Sequence, residues 1–175
     1  MTRFVSAMLL AVLLASPAFA QEVGTLVESD TGDTAWMLTS SAIVLLMTLP
    51  GLALFYGGRV RAKNVLSVAL QCGAVAAVIS VLWVVTGYTL AFGDIGNGWF
   101  GNGRAWMLIE LTNVRYGTTV PESAFVLFQM GFAIFATALM VGAWAERARF
   151  GWVVLFCAAW SLIVYAPVAH WVWGG

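Results

Sequence analysis

Four apolar runs dominate this sequence, and none carries an Asp, Glu, Lys or Arg. They cover about Thr34 to Tyr56, Val65 to Phe92, Ala124 to Ala145 and Phe150 to Val172. A helix rises about 1.5 Å per residue, so runs of this length match a hydrocarbon core about 30 Å thick. The expected fold class is therefore an all-α membrane protein with four transmembrane helices.

Composition agrees. Hydrophobic residues make up 62% of the chain and charged residues 9%, against about a quarter charged in a soluble domain. Such a surface suits lipid as solvent. Eight basic and eight acidic side chains balance, which leaves no footprint for nucleic acid. Cys72 and Cys157 lie inside apolar runs and read as packing residues rather than a disulfide framework. The sequence offers no metal-ligand cluster, no nucleophile beside a base and no phosphate-binding glycine loop. An enzyme is not expected, nor is a cofactor.

Residues 1–20 read as a signal peptide: Arg3 supplies the positive start, Ala7 to Ala15 the apolar centre, and Ala18-Phe19-Ala20 the small-residue cleavage pattern. Residues 21–33 form a polar, acidic tail with Glu22, Glu28 and Asp30, and Asp33 stands where a helix N-cap belongs. Two short loops are basic: one carries Arg59, Arg61 and Lys63, the other Arg147 and Arg149 beside Glu146. Short basic loops stay in the cytoplasm, so the N-terminus and the end of the fourth span lie outside, as the signal peptide also requires.

Pro50-Gly51 should kink the first span and Gly57-Gly58 should end it; Pro121-Glu122 should open the third, and Pro167 lies near the end of the fourth. The pairs Gly73/Ala77 and Ala138/Gly142 are four apart, the spacing that lets helices approach closely in lipid. The external segment from Gly93 to Ser123 is long and glycine-rich; it reads as a loop resting on the headgroups, in which Trp106 to Thr112 could form a short interfacial helix.

Uncharged spans confine any substrate path to apolar, aromatic and small polar groups. Phe128 and Phe132 are four apart and share one face of the third helix, in its outward third, with Gln129 beside Phe128. His170 and Trp173, three apart, are expected to face the same way at the outward end of the fourth. Aromatic faces attract cations, and a deeper phenylalanine can act as an apolar constriction. The same residues could equally be packing and interfacial aromatics, and His170 an interfacial hydrogen-bonding residue.

Three runs carry a resemblance. Thr48-Leu49-Pro50-Gly51-Leu52-Ala53-Leu54-Phe55-Tyr56-Gly57-Gly58, with Lys63-Asn64-Val65-Leu66-Ser67 after it, resembles the first signature of the Amt/Mep/Rh ammonium transporter family. Gly142-Ala143-Trp144-Ala145-Glu146-Arg147-Ala148-Arg149-Phe150 is similar to its A-E-R-x-R-F loop, and Pro167 to Gly175 to the end of its fourth helix. The likeness runs from about Asp33 to Gly175.

The resemblance implies the first part of an eleven-helix fold with inverted repeats, a homotrimer when full length, and uptake of ammonium or ammonia, with methylammonium as analogue. It implies an external recruitment site at Phe128 and Trp173 with Gln129 beside it, and a gate at Phe132. His170 is not matched to a pore histidine. The signal peptide implies the inner membrane of a Gram-negative bacterium, with a periplasmic N-terminus. A nitrogen-regulatory signalling protein would be the partner at the cytoplasmic face. The family's acidic residue and first pore histidine belong to a fifth helix beyond Gly175, so an N-terminal fragment is expected. The alternatives are an Rh-like neutral gas channel, against which Trp173 argues, and a non-transporting sensor or assembly module.

Overall fold

The computed structural model describes residues 29–93, 98–101, 103–109, 111, 114–115 and 117–174. The signal peptide expected over 1–20, and tail residues 21–28, lie outside the described residues. Among the described residues, four helices are long and apolar enough to cross a membrane: α1 (Thr31–Gly57), α2 (Ala62–Phe92), α3 (Glu122–Trp144) and α4 (Phe150–Gly174). Each matches an expected span, with ends displaced by up to about a turn. The charged residues Asp33, Lys63 and Glu122 thus ride on helix ends, at the depth where headgroups and water solvate charge.

The N-cap of α1 corrects the expectation. Asp30, not Asp33, is the cap: its carboxylate accepts the Asp33 N–H at 2.9 Å. An N-cap side chain reaches the amide three residues on, so a cap at Asp30 leaves the Asp33 carboxylate free for other work. It accepts from the Thr119 hydroxyl, while the Asp30 N–H donates to the Thr119 carbonyl at 3.0 Å. These bonds tie the start of α1 to the external segment.

Prolines inside the helices are met by widening rather than breaking. Pro50 lies in a π-helical turn, Met47–Leu52, and Pro167 follows another, Ser161–Tyr165. A proline removes one N–H and crowds the carbonyl four residues back; a wider turn moves that carbonyl away. Further π turns occur at Trp83–Gly87 and His170–Gly174. Helix α3 instead slackens at Leu139–Met140, between Glu122–Ala138 and Val141–Trp144. There the Leu139 carbonyl accepts the Tyr56 hydroxyl of α1 at 2.8 Å.

Helix α2 is central. Val68, Cys72, Val75, Ile79 and Trp83 recur at three- and four-residue spacing and are buried. They share one core with Ile134, Ala138 and Val141 of α3 and Val153 and Cys157 of α4. The Trp83 indole N–H donates to the Val126 carbonyl at 3.2 Å, giving its polar tip a partner deep in the bundle. The outward faces are bare and apolar, with Leu54, Ile163 and Leu66 at least 70% exposed. Those faces would be a liability in water and are ordinary against acyl chains.

Only one of the small-residue pairs packs as expected. Ala138 is buried, and a Cβ at Gly142 would meet the Tyr56 ring at 2.2 Å. Gly73 and Ala77 are exposed, with nothing within 4 Å of a Cβ built on Gly73, because the packing stripe of α2 lies about a third of a turn or more away. The short helix considered over Trp106 to Thr112 falls partly outside the described residues, and its described start takes another form. A 3-10 turn covers Gly103–Leu108, and left-handed backbone at Met107 and Leu108 (φ 54° and 58°) closes it.

Candidate functional site at the outer end of the bundle

Successive residues of a helix are about 100° apart, so Phe125, Phe128 and Phe132 fall on one face of α3. The structure brings Phe128 and Phe132 together, with ring centroids 5.0 Å apart at 75°. Edge-to-face contact fixes both rings and leaves π surface open. Phe128 and Gln129 are half-buried and Phe132 is 36% exposed, so this face has room for a small guest.

One turn outward, Phe125 meets Phe92 of α2 edge-to-face at 5.1 Å. Arg115, from the external segment, lies over Phe125 with Cζ 3.9 Å from the ring centroid, and 5.2 Å from that of Phe92. Its Nη1 donates to Glu122 Oε1 at 3.0 Å and to the Tyr88 hydroxyl at 3.4 Å. Burial lowers the pKa of Arg115, but a guanidinium stays charged in proteins. The pair is mostly shielded, with side chains 22% and 18% exposed.

The last carbonyls of α2 have no partners within their own helix. The Gly93 N–H donates to Thr89 at 3.0 Å and the Gly101 N–H to Leu90 at 3.0 Å. His170 Nδ1 lies 3.1 Å from the Ala91 carbonyl. A Cβ at Gly101 would meet the Thr89 oxygen at 2.1 Å, and one at Gly174 the Ala91 oxygen at 2.2 Å. These two glycines admit the external segment and α4 to the end of α2. Trp99 and Trp171 close the same end, 5.7 Å apart.

The expectation that His170 and Trp173 face the same way is corrected. His170 is 1% exposed and Trp173 62%. Both lie in the π turn His170–Gly174, whose extra residue per turn swings positions three apart further from each other than in an α-helix. His170 turns inward to α2 and Trp173 turns to the surface. Among the described residues no ring contact joins Trp173 to Phe128. The sequence reading passed over Arg115, which sits in a segment read as a plain loop. The available signal was that, of the segment's two arginines, Arg104 and Arg115, the second stands seven residues before Glu122.

At the opposite end of the bundle, Glu146 accepts the Arg61 backbone N–H at 3.0 Å and Asn64 Nδ2 at 2.7 Å. These hydrogen bonds, Asn64 first, hold its carboxyl below the ordinary value of 4.5. The clasp joins the two basic loops over a cavity of about 1050 Å³ lined by Tyr56, Arg59, Lys63 and Arg147. Among the described residues no group of three His, Cys, Asp or Glu could hold a metal ion.

Residues 35–175 match the model of the Ammonium Transporter Family. An ammonium transporter of Bacillus subtilis (strain 168) is 50% identical over 147 residues, which cover 82% of this chain and 36% of the relative. The crystal structure of Saccharomyces cerevisiae Mep2 superposes with TM-score 0.76 at 30% identity, over 90% of this chain and 35% of that one. A structure described as a sensor Amt protein gives TM-score 0.74 at 27% identity, covering 82% and 34%. The chain thus spans about a third of the length of the relatives it matches.

Proposed function

Because this chain belongs to the ammonium transporter family, we propose that it supplies the external recruitment half of a pathway moving ammonium or ammonia across the membrane. In this reading the chain works as the N-terminal part of a homotrimeric transporter in a bacterial inner membrane. The observation that carries it is the Phe128–Phe132 pair, in edge-to-face contact on an uncharged helix face just inside the outer end.

A small monocation arriving from outside meets the indole of Trp173, which is 62% exposed, and then the face of Phe128 with Gln129 beside it. Cation–π attraction favours ions that shed water readily. Phe132 lies next inward and closes the path with an apolar ring, so charge is disfavoured beyond it and proton loss favoured. No covalent step is involved, and the protein is a transporter rather than an enzyme. The basic loops clasped by Glu146 are the face open to a cytoplasmic signalling protein.

Trp173→Leu in the full-length gene product tests this reading. Methylammonium uptake should keep its maximal rate within about twofold while the apparent KM rises several-fold, as expected when a contact of about 0.5–2 kcal/mol is lost. An unchanged KM would sink the recruitment site. The likeness to the sensor Amt protein favours one second reading, a sensor that binds ammonium at the same mouth without conducting it. Binding without uptake in the same assay would establish it.

A further inference from the structure

We propose that Arg115 and Glu122 form an electrostatic set-point for the external mouth, in which the Glu122 carboxylate cancels a guanidinium that would otherwise repel ammonium from Phe128. The inference rests on the recruitment reading above and deepens it.

Three observations carry it. First, the guanidinium is held in place: it lies 3.9 Å above Phe125 and 3.0 Å from Glu122 Oε1. Second, it lies along the file that leads to Phe128. Phe125 precedes Phe128 on the same face by three residues, a rise of about 4.5 Å, which puts the charge on the order of 10 Å from the proposed site. That is about one Debye length at physiological salt, and the shielding of the pair weakens screening further. Third, Arg115 occupies the face of Phe125, so the outermost ring of the file has its cation already. Within the phenylalanine file, the first ring open to an ion passed on from Trp173 is Phe128.

The two side chains should therefore act on substrate affinity with opposite signs. Loss of Glu122 leaves a bare positive charge beside the approach; loss of Arg115 leaves a bare negative one. A mere packing role predicts no such opposition. Both act as positioning charges, neither touching the transported ion.

The test measures methylammonium uptake by the full-length gene product at low and high salt. Glu122→Gln should raise the apparent KM roughly three- to fivefold at low salt, and Arg115→Met should lower it by a similar factor. The double variant should return close to wild type, and all shifts should shrink as salt is added. Maximal rates, corrected for protein in the membrane, should stay within about twofold. If Glu122→Gln does not reach the membrane, the sign of the Arg115→Met shift decides alone. Shifts in one direction for both variants, or none, would overturn the proposal. Trp173→Leu run in parallel separates the two failures. A raised KM there with flat responses at Arg115 and Glu122 rejects the set-point alone. An unchanged KM at Trp173 rejects the recruitment site beneath it.

Discussion

His170 of α4 and Ala91 of α2 are joined by a 3.1 Å hydrogen bond between the ring Nδ1 and the backbone carbonyl. A carbonyl only accepts, so Nδ1 carries the proton. The bond supplies the partner that Ala91 lacks at the end of its helix, and both residues are at most 1% exposed. The histidine works as a cap for α2 and a rivet between α2 and α4.

Substituting His170→Ala therefore strands a buried carbonyl, at a cost of about 1–3 kcal/mol. Thermal unfolding of the detergent-solubilised full-length protein should show that loss. Uptake per folded molecule should keep its wild-type pH profile. A shifted profile would instead place His170 in a proton path.

Gly142 is the second structural test. A Cβ there would meet the Tyr56 ring at 2.2, 2.5 and 2.7 Å. The ring cannot yield without breaking the 2.8 Å bond from its hydroxyl to Leu139. Gly142→Ala should destabilise by about 1–3 kcal/mol, the range for overpacking. Tyr56→Phe should lose about 1 kcal/mol, the net value of one hydrogen bond. If Gly142→Ala unfolds at the wild-type temperature, the close packing of α1 against α3 is wrong.

Much of this was legible in the sequence, for physical reasons. The helices follow from charge-free runs, because few structures satisfy the backbone in lipid other than a helix. The contact of Phe128 with Phe132 follows from helical spacing alone. What was missed depends on local geometry that spacing does not encode. The parting of His170 and Trp173 comes from a π turn. Asp30 and Asp33 are chemically equal as caps and both bond to Thr119; Asp30 is the one whose carboxylate meets the N–H three residues on. Gly73 and Ala77 have the spacing of a packing pair but sit off the buried stripe. Arg115 reaches Phe125 only because the external segment folds back, with the Arg115 N–H on the Val120 carbonyl at 3.1 Å.

The gate assignment makes its own prediction. If Phe132 closes the path by the bulk of its ring, Phe132→Ala should relax size selection more than it changes affinity. Uptake of dimethylammonium relative to methylammonium should rise several-fold, with the methylammonium KM within about twofold of wild type, because a widened apolar constriction changes passage rather than capture. A raised KM with unchanged selectivity would move Phe132 from the gate into the recruitment site.

Glu146 sets a pH-dependent clasp between the two basic loops. Its carboxyl is held below the ordinary 4.5 by the Asn64 amide and the Arg61 N–H. A carboxylate with a lowered folded pKa adds stability that is fully present above its unfolded value and is lost as pH falls through the folded one. The clasp should therefore hold unchanged through the neutral range and fail only below about pH 4.5. Limited proteolysis of the loops around Arg61 and Arg147 reads this directly. Wild type should resist cleavage near neutrality better than Glu146→Ala, and the two should converge only in that acid window. Convergence already near pH 6 would mean that a different group holds the loops together. Glu146→Gln should keep much of the resistance, because its carbonyl oxygen still accepts the same two donors, and should lose the acid transition altogether.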